Sequence, residues 1–146
     1  MSSTTETHKS TSETETERLG RSLGQTLSPG DVVLLYGDLG SGKTALSKGI
    51  AAAYCGIDPR KATSPTYVLV HRYGGGERIL FHVDLYRLDK AEEIRGLGLD
   101  ELLDQGPMVI EWGEKAEPLQ LPVRYKITLE SAGDNERHIH VVETGA

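Results

Sequence analysis

The run Gly37-Asp38-Leu39-Gly40-Ser41-Gly42-Lys43-Thr44 has the spacing G-x-x-x-x-G-K-T. Glycines so placed let backbone N–H groups curl around phosphate oxygens, and a helix opening at the lysine aims its positive dipole end at the same anion. Lys43 is spaced to reach β- and γ-phosphates as a point charge, and the Thr44 hydroxyl to ligate magnesium. The pattern predicts a nucleoside triphosphate site formed by Asp38, Leu39, Gly40, Ser41, Gly42, Lys43, Thr44 and Ala45, with ATP and Mg²⁺ as its ligands. A structural glycine turn is the plainer alternative.

Magnesium completes its octahedral shell with waters and one or two carboxylates. Asp84 closes the apolar stretch Ile79-Leu80-Phe81-His82-Val83, and Glu111 closes Met108-Val109-Ile110. A parallel sheet presents such strand ends beside a phosphate loop. Thr44, Asp84 and Glu111 are therefore the expected metal-site residues, and Glu111 the group that orients or deprotonates an attacking water. For both acids a helix-capping or surface role is the alternative. Trp112 either lies beside the nucleotide or covers the core edge. In Thr63-Ser64-Pro65-Thr66-Tyr67, Pro65 stiffens a loop whose hydroxyls can sense the metal or the γ-phosphate, or it marks an ordinary Ser-Pro turn.

These residues need a frame. Val32-Val33-Leu34-Leu35-Tyr36 reads as a buried strand entering the loop, and a helix follows from Lys43 to about Tyr54. Leu19, Leu23 and Leu27 form one apolar stripe on a helix from Glu15, stopped by Ser28-Pro29-Gly30. Strands over 67–73 and 78–85 flank Gly74-Gly75-Gly76, and strands over 125–129 and 138–142 form a second hairpin. Asp89 is spaced to cap a short helix reaching Arg95, and a further helical turn covers 100–103. The expected fold class is α/β: a single P-loop NTPase domain over 15–146, with a mixed, mostly parallel central sheet flanked by helices and carrying antiparallel hairpins. Residues 1–14, rich in Ser, Thr and Glu, offer nothing apolar to bury and read as a disordered tail.

The chain has 146 residues, a net charge of -6 and a pI near 5.3. That charge disfavours unaided binding to a nucleic-acid backbone. No apolar run approaches the roughly 20 residues of a membrane span, and no secretory leader is recognisable, so the cytoplasm is the expected location. The single cysteine, Cys55, reads as a small core hydrophobe. His138 and His140 share one strand face but have no third ligand at suitable spacing for zinc. His71 and His82 read as packed strand residues.

Taken together, GDLGSGKT, SPTY, HVDLYRL from His82 to Leu88 and IEW from Ile110 to Trp112 resemble the TsaE (YjeE) family, the ATPase component of bacterial tRNA N6-threonylcarbamoyladenosine synthesis. The resemblance runs from about Glu15 to Glu143. It implies an ATPase of low intrinsic turnover that works with paired threonylcarbamoyl-transferase subunits of the TsaB and TsaD type, meeting tRNA only through that complex. It also implies that Lys43, Thr66 and Glu111 are catalytic, with Thr66 in a switch-like loop and Trp112 beside the nucleotide. Many relatives carry a second hydroxyl where this chain has Ala45. A small-molecule kinase and a nucleotide-dependent scaffold without hydrolysis are the competing functions.

Overall fold

The computed structural model describes residues 4–38, 42–57, 70–76 and 78–144. Its strands are β1 (Thr4–Ser10), β2 (Val32–Tyr36), β3 (Val70–Gly75), β4 (Arg78–Asp84), β5 (Met108–Glu111), β6 (Val123–Ser131) and β7 (Arg137–Glu143). They form one sheet in the order β1-β7-β6-β2-β5-β4-β3. β6, β2, β5 and β4 are parallel neighbours, while β3, β7 and β1 join the margins antiparallel. The apolar run of β2 belongs at the centre: Val32 to Leu35 are each at most 1% exposed, as a strand covered on both faces requires.

One face is covered by α1 (Glu13–Gly24) and α2 (Lys43–Cys55), which bury Leu23, Leu46, Ile50 and Tyr54 against Val33, Leu35, Val109 and Ile127. The other face lies under α3 (Ala91–Arg95), α4 (Leu99–Leu102) and two single 3₁₀ turns, Gly113–Lys115 and Glu117–Leu119. There Leu34, Phe81, Val83 and Ile110 meet Ile94, Leu99 and Leu103. α1 and α2 touch backbone to backbone: a Cβ at Gly20 would stand 2.3 Å from the Leu46 carbonyl oxygen, and one at Gly49 2.1 Å from that of Glu17. No helix among the described residues is long and apolar enough to cross a membrane.

Three expectations are corrected by the structure. Within the supposed tail, residues 4–10 are β1, paired with β7 from Thr4↔Glu143 to Ser10↔Arg137. Their stabilisation is backbone pairing on an open edge, supported by the strand preference of threonine, and needs little apolar burial. Ser10 is the one buried side chain of this strand, with its Oγ 2.7 Å from Thr16 Oγ1 and donating to the Ser12 carbonyl at 2.8 Å. α1 accordingly starts earlier than its leucine stripe, where Ser12 Oγ accepts the Glu15 N–H at 3.1 Å. Asp89 does not cap α3, whose N-cap is Lys90; its carboxylate instead lies 3.3 Å from Lys115 Nζ.

Candidate active site at the mouth of α2

Register builds the site. Leu35, Glu111 and Asp84 stand side by side across β2, β5 and β4, all at the C-terminal ends of parallel strands. Leu35 and Val109 belong to the core beneath α2, so the alternation along each strand directs Glu111 and Asp84 to that same face. Beyond β2, Gly42 takes φ 104, a left-handed conformation, and α2 opens at Lys43. Glycine is the residue that adopts this turn without strain, and it leaves the first-turn N–H groups uncovered by any capping side chain. Such a helix mouth is an anion site.

Lys43 is only 5% exposed. Its ammonium donates to the Gly37 carbonyl and lies 4.1 Å from the centroid of the Trp112 ring. Trp112 directly follows Glu111 with φ 64, a backbone state costing on the order of 1–3 kcal/mol in a bulky residue. The turn brings its ring to 5.2 Å from Tyr86, which is exposed. Lys115 donates to the Tyr86 carbonyl at 3.0 Å beneath the same aromatic pair.

The two carboxylates differ in their surroundings. Asp84 is half-buried, and its Oδ1 accepts the Tyr86 N–H at 3.0 Å. Burial pushes its carboxyl above the ordinary aspartate value, and the neighbouring Glu111 charge adds to this, against the opposing pull of the Tyr86 N–H, His82 and Lys43. Glu111 is buried, and its Oε2 lies 2.6 Å from His82 Nε2. A cleft of ≈ 220 Å³ opens over Gly42, Lys43, Thr44, Ala45 and Glu111. Its lining continues with Ser12, Glu13 and Thr16 at the start of α1, and with Asn135 and Arg137 where the β6–β7 turn enters β7.

The model of the family "Threonylcarbamoyl adenosine biosynthesis protein TsaE" matches residues 10–139. The chain belongs to the TsaE family. Among its relatives are the TsaE proteins of Rickettsia conorii, 38% identical over 92% of this chain and 77% of that protein, and of Bacillus subtilis, 40% identical over 90% and 81%. That of Streptomyces coelicolor is 41% identical over 87% of this chain and 89% of its own. The crystal structure of Bacillus subtilis YdiB superposes with a TM-score of 0.77 at 32% identity, covering 99% of this chain and 89% of that one.

In this TsaE chain, then, the expected residues Gly42, Lys43, Thr44, Ala45 and Glu111 line one cleft. Asp84 adjoins Glu111 in register, and Trp112 packs on Lys43. Asp38 is exposed just past β2. Leu39, Gly40, Ser41 and Thr66 lie outside the described residues. The oxygen donors Thr44, Asp84 and Glu111 suit a hard cation such as Mg²⁺, and a divalent charge would relieve the crowding of the two carboxylates. Sequence reasoning missed the lining from Ser12, Glu13, Thr16, Asn135 and Arg137, and also the contact of His82 with Glu111. For the first three a signal existed, since Ser12-x-x-Glu15 has the spacing of a helix-start capping box. Asn135 and Arg137 carry no comparable local pattern.

Proposed function

We propose that this TsaE chain binds Mg²⁺-ATP at the mouth of α2 and hydrolyses it in support of threonylcarbamoyl transfer to the adenosine next to the tRNA anticodon. The observation that carries the reading is one cleft lined both by the Gly42-Lys43-Thr44 helix mouth and by the buried Glu111. Lys43 exchanges its contacts with the Gly37 carbonyl and the Trp112 ring for phosphate oxygens. Thr44 and Asp84, with Glu111 close by, would hold the magnesium, which supplies charge neutralisation at the phosphates. Glu111 orients the attacking water and accepts its proton. The rest of the lining, with Arg137 and Thr16, takes the remainder of the nucleotide. The acidic chain leaves tRNA to its partner subunits of the TsaB and TsaD type, working in the cytoplasm.

Calorimetry with Mg²⁺-ATP, followed by phosphate release in the presence of the partner pair, tests this. Binding is expected in wild type and in Glu111→Ala, with hydrolysis lost in Lys43→Ala and Glu111→Ala. Unimpaired hydrolysis by both variants would refute the roles. Transfer of the γ-phosphate to a metabolite in preference to water would establish a kinase instead.

A further inference from the structure

Glu111 lines the cleft, and its carboxylate also meets a buried side chain of the interior. Its Oε2 lies 2.6 Å from His82 Nε2, and the two residues are 4% and 3% exposed. His82 is not among the residues that line the cleft. Its backbone is fixed by the pairing of β4 with β5, two residues before Asp84 on the same strand face. Its ring faces Tyr73, centroid to centroid 6.3 Å and tilted 36°, and His71, the cross-strand partner of His82, stacks on Tyr73 at 4.7 Å.

We propose that His82 is a positioning residue for ATP hydrolysis: its Nε2–H holds one oxygen of Glu111, leaving the other directed to the attacking water. This rests on the ATPase reading above. A glutamate side chain has several rotatable bonds, and a buried carboxylate oxygen without a donor is costly. A donor mounted on a paired strand solves both problems, because strands hold geometry more tightly than loops. Without it, Glu111 is free to turn towards Lys43 or away from the cleft, and a 1 Å misplacement of a reacting group costs about 10²-fold in rate.

The full-length chain is compared as wild type, His82→Gln, whose amide N–H replaces the imidazole donor, and His82→Leu, which has none. The expected result is a hydrolysis rate with the partner pair lowered about 10²-fold in His82→Leu and largely recovered in His82→Gln, with Mg²⁺-ATP affinity unchanged in both. Independently of turnover, nitrogen-15 NMR of the nucleotide-free protein should show a slowly exchanging His82 Nε2–H resonance that moves in Glu111→Gln. A folded His82→Leu that hydrolyses at the wild-type rate, or a resonance unmoved by Glu111→Gln, overturns the proposal. Should His82→Leu fail to fold, an unmoved resonance or a folded but inactive His82→Gln overturns the proposal. Wild type that neither binds nor hydrolyses ATP overturns the underlying ATPase reading instead.

Discussion

Replacing Gly49 by alanine tests whether the first helix truly frames the site. The added methyl would lie 2.1 Å from the Glu17 carbonyl oxygen and 3.0 Å from the Arg21 nitrogen, whereas ordinary contacts begin at 3.4 Å. Both obstacles are backbone, so α1 and α2 must part by more than about 1 Å. Alanine's better helix propensity contributes about 1 kcal/mol, and overpacking costs about 1–3 kcal/mol, with its upper end applying where no side chain can swing aside. The net loss is about 1–2 kcal/mol, or roughly 2–8 °C in Tm for a chain of this size. Because α1 carries Ser12, Glu13 and Thr16 to the cleft, Mg²⁺-ATP affinity should fall as well. Thermal melts and calorimetry read both effects. Gly75→Ala, where a Cβ meets nothing within 4 Å, is the control and should stay within about 0.5 kcal/mol. A Gly49→Ala protein as stable as wild type would show that the helices are not in this contact.

Trp112 is the only tryptophan, so its emission reports the ammonium above it. Lys43→Ala should change the spectrum of the nucleotide-free protein, and Mg²⁺-ATP should change that of wild type; an insensitive spectrum argues against the contact. Deleting residues 1–10 removes β1 and the Ser10 hydroxyl beside Thr16, at a cost of about 1–3 kcal/mol by urea titration, whereas a slack tail would cost nothing. Burial pushes the Cys55 thiol above its ordinary value, so iodoacetamide should label the native protein more slowly than the unfolded one near pH 8.5. The folded thiol keeps its proton longer than the unfolded one. Its stabilising contribution is thus complete below the ordinary thiol range and fades as pH rises through the folded value.

The glycine turn into α2 and the strand-end positions of Asp84 and Glu111 were readable because each depends on a short stretch of chain: a glycine spacing, or an apolar run ending in a carboxylate. The strand ends could be placed on one edge by the parallel-sheet rule alone, and the register of Leu35, Glu111 and Asp84 agrees. β1 was misread because hydrophobic burial is the usual warrant for order, and an edge strand of threonines and charged residues is ordered by its partner's backbone. The rest of the cleft's lining escaped for a related reason: Arg137 reaches the site through strand pairings with distant segments, which leave no periodicity to detect. His82 was visible as a strand residue, yet its contact with Glu111 depends on which strands are neighbours, which no single stretch of sequence encodes.

The β1–β7 pairing joins Thr7 to His140 at a sequence separation of 133, whereas α1 and α2 are near neighbours along the chain. Local contacts close quickly and distant ones late, so during synthesis α2 and its companion α1 can dock long before β7 emerges. Arg137 and Asn135 arrive with that strand, and the cleft is enclosed only when it is in place. A ligand touching both α2 and the Arg137 end of β7 would therefore favour the finished topology over its precursors by mass action. Under the proposed function, nucleotide occupancy would double as an inspection of completed folding, passed only by a chain in which β1 and β7 have found each other.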